Sequence, residues 1–235
     1  MTPLQTRKKG QLEQSRNIPL ENIDTIIALL KKEVKAFKLP IVTEMIQLKR
    51  DPFKVLISTI LSLRTKDETT REASYRLFAA AATPAEMVKL SHAHIEKLIY
   101  PVGFYKNKAR SVLAACKRLL DDFNGIVPDD IDTLLTFKGV GRKTANLVIT
   151  LGYNKPGICV DVHVHRITNR WGMVKTKTPD ETEMVLRTIL PKKHWIIIND
   201  LLVAYGQNLC RPTSPFCSKC KIKKYCKQVN VGKTR

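Results

Sequence analysis

Apolar residues recur at three- and four-residue spacing along most of this chain, and the period-two alternation of half-buried strands is nearly absent, so the sequence predicts an all-α protein. Over residues 21 to 38, Ile23, Ile26, Ile27, Leu30, Val34 and Phe37 fall on one helix face, which should end before Pro40. Asp51 followed by Pro52 reads as a helix start, with the carboxylate capping and the proline in the first turn; Val55 to Leu63 then forms a strongly apolar helix. Thr83-Pro84-Ala85-Glu86 and Thr178-Pro179-Asp180-Glu181 both read as capping boxes with proline at the first helical position. Further helices fit residues 67 to 81, 106 to 122, 130 to 137, 142 to 152, 162 to 171 and 195 to 209. Turn signals at Asn124-Gly125, Gly139 to Gly141 and Asn154 to Gly157 cut the middle of the chain into short helices. There is no repeat, low-complexity segment or long linker.

Charge changes the picture from a generic helical protein to one with a polyanionic partner. Forty-one Lys and Arg stand against 21 Asp and Glu, a net +20, and the excess is spread along the chain rather than held in a tail. A merely solvated basic surface is the alternative. The apolar runs are all broken well short of a membrane span. The N-terminus, MTPLQTRKKGQ, lacks the apolar stretch of a secretory signal, so an intracellular protein is expected. In a reducing compartment the 6 cysteines should serve packing, metal ligation or catalysis rather than disulfides.

Candidate chemistry begins at residues 137 to 145, Phe-Lys-Gly-Val-Gly-Arg-Lys-Thr-Ala, set between two predicted helices. Gly139 and Gly141, either side of Val140, let the chain turn sharply and bring backbone amides close to a ligand. The helix opening at Arg142 offers its N-terminal amides to an anion, and a DNA phosphate suits the site. A plain interhelical turn is the other reading. Lys143 sits in the first turn of that helix, where the macrodipole and Arg142 both disfavour an ammonium and should lower its pKa. Such a lysine can attack an electrophilic sugar carbon to form an imine; its simpler role is to bind phosphate.

Eighteen residues on, Val160-Asp161-Val162-His163-Val164-His165-Arg166 places Asp161 where it reads first as a helix N-cap, leaving a carboxylate at a helix mouth. His163 and His165 have no partner at metal spacing and read as packing or phosphate-contact residues. At the C-terminus Cys210, Cys217, Cys220 and Cys226 form C-x6-C-x2-C-x5-C within seventeen residues, a set able to enclose one metal centre. Spacing leaves zinc as a competitor, although structural zinc sites usually carry two close pairs and only one C-x2-C occurs here. Arg211, Lys219, Lys221, Lys223, Lys224 and Lys227 surround these cysteines and should face DNA phosphates. Cys116 and Cys159 lie in apolar contexts and read as core.

Taken together and in this order, the hairpin, the aspartate segment and the cysteine loop resemble the endonuclease III family of the helix-hairpin-helix DNA glycosylase superfamily over about residues 20 to 228. The resemblance implies two all-α subdomains flanking a DNA-binding cleft that receives the flipped base. One is a helical barrel at 45 to 155 carrying the hairpin; the other is an iron-sulfur subdomain made of 1 to 44 and 156 to 235. It implies Lys143 as nucleophile, Asp161 as its acid-base partner and a 4Fe-4S cluster on the four cysteines. The activity implied is a bifunctional glycosylase and abasic-site lyase on oxidised pyrimidines, acting as a monomer on duplex DNA with a damaged base or abasic site. A monofunctional mismatch or uracil glycosylase and a non-catalytic DNA-binding module are the alternatives. Two positions depart from the pattern: Lys138 replaces a usual proline, and Arg64, in Leu63-Arg64-Thr65-Lys66, replaces the glutamine that fills the gap left by the flipped nucleotide. In Gly103-Phe104-Tyr105-Lys106, Phe104 is implied as the wedge into the opposite strand, with a core aromatic as its other reading.

Overall fold

The computed structural model describes residues 22–37 and 50–235, and among these every regular element is a helix. In chain order they are α1 (Ile23–Val34), α2 (Pro52–Ser62), α3 (Asp67–Ala80), α4 (Pro84–Met87), α5 (His92–Ile99), α6 (Tyr105–Phe123), α7 (Ile131–Leu135), α8 (Arg142–Leu147), α9 (Val162–Trp171), α10 (Pro179–Ile189) and α11 (Ile198–Asn208). A π-helical turn, Val148–Gly152, continues α8, and 3-10 turns occupy Lys192–His194 and Lys223–Tyr225.

The starts follow from their caps. Asp51 Oδ1 accepts the amides of Phe53 and Lys54 at 3.0 and 3.2 Å, with Pro52 in the first turn of α2. Thr83 closes a full capping box with Glu86. The second expected box is only half formed: Thr178 accepts the Glu181 amide, but the Glu181 carboxylate takes the Lys177 amide, one residue further out. The predicted helix at 130 to 137 shortens to Ile131–Leu135, and that at 195 to 209 starts at Ile198 after a 3-10 turn. Helix α5, which the apolar spacing did not predict, starts from a Ser91 cap and buries only Ile95 and Ile99.

The chain divides into two compact units, Leu39–Cys159 and Met1–Lys38 with Val160–Arg235. The expected boundary at 44/45 and the stop before Pro40 lie outside the described residues. In the first unit α2 is central, with Val55, Leu56, Ile57, Ile60 and Leu61 essentially inaccessible against α3, α6, α8 and the π turn. A Cβ on Gly152 would lie 2.9 Å from Pro52 Cα, so that turn meets α2 backbone against backbone. In the second unit α1 packs its Ile23, Ile26, Ile27 and Leu30 face with α11, which also packs on α9. Asp24 of α1 meets Lys193 and His194 at 2.7 and 2.6 Å. Among the described residues no helix is long and apolar enough to cross a membrane.

Candidate functional site

The glycine turn is built as the sequence suggests, but its two glycines do different work. Gly139 sits at φ 83° with Ser111 Oγ 3.3 Å from where its Cβ would be, so the backbone conformation itself demands glycine. Gly141 is extended at φ −102°, and a Cβ there would meet nothing within 4 Å. Neither strain nor crowding accounts for glycine at 141, and the space beside the start of α8 is open there. Val140 between them is buried and anchors the turn through its amide, which donates to Phe137 O at 3.1 Å. Arg142 and Lys143 are half-buried in the first turn of α8, and the Cys159 thiol donates to Lys143 O at 3.8 Å.

Asp161 belongs to the other unit and is the N-cap of α9: one oxygen, Oδ1, accepts the amides of His163 and Val164 at 2.8 and 2.9 Å. Only 7% of the residue is exposed, while Val162 beside it is 65% exposed, so the cap stands at the edge of an open surface. His165 and Arg166, which follow, tie α9 to its neighbours. His165 Nδ1 lies 2.7 Å from Thr182 Oγ1 of α10, and Arg166 donates to Gly206 O and Cys210 O beyond α9.

Arg64 and Phe104 are brought together. Both have left-handed backbone, φ 52° and 58°, and the Arg64 guanidinium stands 6.0 Å from the Phe104 ring centroid. Phe104 is 62% exposed, which rules out the core-aromatic reading. Beneath them lies Lys108, which the sequence reading passed over. Its ammonium is buried and donates to Leu61 O at 2.7 Å, to Leu63 O and to Thr65 Oγ1 at 2.9 Å. The signal was present: Lys108 falls in the apolar stripe of α6 with Val112, Ala115 and Leu119, where a lysine needs a reason.

The four C-terminal cysteines line one pocket together with Trp171, Phe216 and other residues. Among the described residues no three His, Cys, Asp or Glu side chains are gathered tightly enough for a single metal ion. Burial pushes the Cys226 thiol up to about 11 and raises those of Cys217 and Cys220, so holding these three as thiolates calls for positive charge nearby. Three groups already address the sulfurs: Arg170 Nη1 lies 3.5 Å from Cys210 Sγ, Tyr205 Oη 3.0 Å from Cys220 Sγ, and the Gln228 amide donates to Cys226 Sγ at 3.4 Å. Arg170 also binds the carbonyls of Arg211 and Pro212, fixing the start of the loop to α9. Lys219 and Lys221 are exposed on that loop. Arg170 lies 40 positions before Cys210, too far for spacing to have revealed it, and Tyr205, although close to Cys210 in sequence, addresses Cys220, 15 positions on.

The family model described as HhH-GPD superfamily base excision DNA repair protein matches residues 57–192. The chain is 46% identical over 176 residues to the endonuclease III of Thermotoga maritima, covering 75% of this chain and 83% of that protein. It is 39% identical over 225 residues to the chloroplastic endonuclease III homolog 2 of Arabidopsis thaliana, covering 89% of this chain but only 58% of that longer one. The solved structure of a trapped endonuclease III–DNA covalent intermediate matches with a TM-score of 0.79 at 31% identity, covering 90% of this chain and 97% of the other.

Proposed function

The chain belongs to the endonuclease III family of base excision DNA repair glycosylases, and we propose that it acts there as a bifunctional glycosylase and abasic-site lyase on oxidised pyrimidines in duplex DNA. In this reading Lys143 Nζ attacks C1′ of the damaged nucleoside and the C1′–N bond breaks, with the base leaving protonated. Asp161 assists proton removal from the amine and stabilises positive charge developing on the sugar. Opening of the sugar ring leaves an imine between Lys143 and C1′. The imine acidifies the C2′ proton, whose removal expels the 3′ phosphate by β-elimination. Gly139, Val140, Gly141 and Arg142 anchor a phosphate; Arg64 and Phe104 enter the duplex at the lesion; Lys219 and Lys221 meet the backbone. The division into a barrel subdomain at 45 to 155 and an iron-sulfur subdomain at 1 to 44 and 156 to 235 is part of this reading, as are monomeric action and an intracellular address.

One observation above all supports it: a lysine immediately after a turn whose second glycine leaves open space where a side chain would stand. The four cysteines lining one pocket, together with membership of the endonuclease III family, support a 4Fe-4S cluster, each of whose irons would take one thiolate. When bound, the cluster supplies the positive charge that buried thiolates need and a covalent tie across the loop.

Borohydride trapping on duplex DNA carrying one abasic site or one oxidised thymine tests the reading, with Lys143→Gln alongside. The expected result is a covalent adduct with the native protein and none with the variant, which still binds DNA. A folded, DNA-binding native protein that gives no adduct would leave a monofunctional glycosylase or a binding module instead.

A further inference from the structure

A lysine ammonium has three protons to donate, and Lys108 has an oxygen for each: Leu61 O, Leu63 O and Thr65 Oγ1. Two of these are carbonyls at the end of α2, where a helix has acceptors without intrahelical donors and where a cation is favoured. The third, Thr65 Oγ1, also accepts the Gly103 amide at 3.2 Å, so the ammonium and one hydroxyl join the segment around Arg64 to the loop before Phe104. That junction is close: a Cβ on Gly103 would lie 2.7 Å from Arg64 O. From the other side Arg76 of α3 donates to Leu98 O at 2.8 Å and to Tyr100 O at 2.5 Å, holding the entry to the same loop. Burial pushes the Lys108 ammonium down to about 8, as expected of a charge withdrawn from water to serve its neighbours.

The two residues this junction presents, Arg64 and Phe104, are both non-glycine residues in the left-handed region, a backbone state that persists only where surroundings over-determine it. We propose that Lys108 is a positioning residue that locks the Arg64 and Phe104 segments into one preassembled element for opening duplex DNA at the lesion, and that it acts on base extrusion rather than on the sugar chemistry at Lys143. The inference rests on the role proposed above for Arg64 and Phe104, and it extends that role to a buried residue acting through them.

The test is Lys108→Met, which keeps an unbranched apolar stem in the α6 stripe and removes all three donors. Single-turnover excision of an oxidised thymine from duplex DNA should fall at least about tenfold further than borohydride trapping on a single-stranded abasic site, which needs no base extrusion. Combined with Phe104→Ala, the two losses should not add, because both act through one element. Equal losses on the two substrates, or full additivity, would overturn the proposal. Should Lys108→Met fail to fold, Thr65→Val removes only the bridging hydroxyl and should show the same duplex-selective loss at smaller size; no selectivity there would overturn it equally. A native protein that forms no adduct on either DNA sinks the lyase reading alone. Fluorescence of 2-aminopurine in the lesion pair then still reads duplex opening, and a rise with the native protein that Lys108→Met retains would count against the lysine.

Discussion

Asp161 caps α9, and the catalytic role proposed for it is one that a pair of substitutions can separate from the cap. Its Oδ1 accepts both amides that open α9, at 2.8 and 2.9 Å, so part of any loss on substitution is structural. Asparagine ranks with aspartate as a cap and still offers an oxygen to those amides. Asp161→Asn therefore loses mainly the charge at the helix N-terminus, about 0.3–1 kcal/mol. Asp161→Ala loses the cap bonds as well, about 0.5–2 kcal/mol. For a chain of this length each kcal/mol moves the midpoint by about 2–4 °C, so Tm should fall by no more than about 4 °C for asparagine and by up to about 8 °C for alanine. A carboxylate acting in proton transfer contributes about 10²- to 10⁴-fold, and both variants forfeit it, so excision at 25 °C should fall by that factor in each while both remain folded. Thermal unfolding by circular dichroism and single-turnover excision from duplex DNA measure the two effects separately. An asparagine variant that keeps its rate within about threefold would refute the catalytic assignment and leave Asp161 a cap. So would two variants whose rates follow only their folded fractions.

Three further outcomes are expected. Gly152→Ala forces a Cβ to within 2.9 Å of Pro52 Cα, a backbone atom that cannot rotate away, and should lower stability by about 1–3 kcal/mol in urea unfolding. On the proposed cluster reading, the purified protein should show brown absorbance that Cys217→Ser abolishes, with a lower unfolding midpoint, whereas unchanged absorbance would remove Cys217 from the proposed ligand set. Lys193, then His194, hold the Asp24 carboxyl below its ordinary value of 3.8. On acidification the unfolded chain therefore takes up this proton first, so the stabilisation is complete above about pH 4 and is lost as pH falls through the lower native value. Asp24→Asn should flatten that part of the acid limb in a pH series of unfolding midpoints.

What the sequence disclosed depended on whether the determining physics was local. Caps at Asp51 and Thr83 were legible because the capping oxygen, the proline and the first apolar turn lie within four residues of one another. Helix α5 was missed because its stripe reduces to Ile95 and Ile99, too few apolar positions to establish a period. The π turn after α8 escaped the local pattern; its Gly152 meets Pro52, a hundred residues away in the chain, a contact that spacing does not show. In the candidate site, the glycine turn and the cysteine spacing could be read directly. The separate roles of Arg64 and Phe104 were implied only by resemblance, their contact was not anticipated, and its support by Lys108 depends on contacts spanning 43 to 47 positions. Lys108 was nonetheless visible as an anomaly, a charge in an apolar stripe, and such anomalies repay a question even when periodicity looks sufficient.

The division of the chain also sets an order of assembly during synthesis. Residues Leu39–Cys159 are contiguous and enclose their own core, so that unit can be complete while translation continues. Helix α1, although made first, packs on α11, whose first residue follows about 164 positions after Val34, a wait of roughly 8–35 s at ordinary elongation rates. Its apolar face must meanwhile be shielded by something other than its final partner. The cysteines emerge later still, from Cys210 to Cys226, so the metal centre proposed for them would form only after the glycine turn and Lys143 have been made. On that proposal, metal starvation should yield a product in which residues 50–159 resist protease while residues 160–235 are degraded.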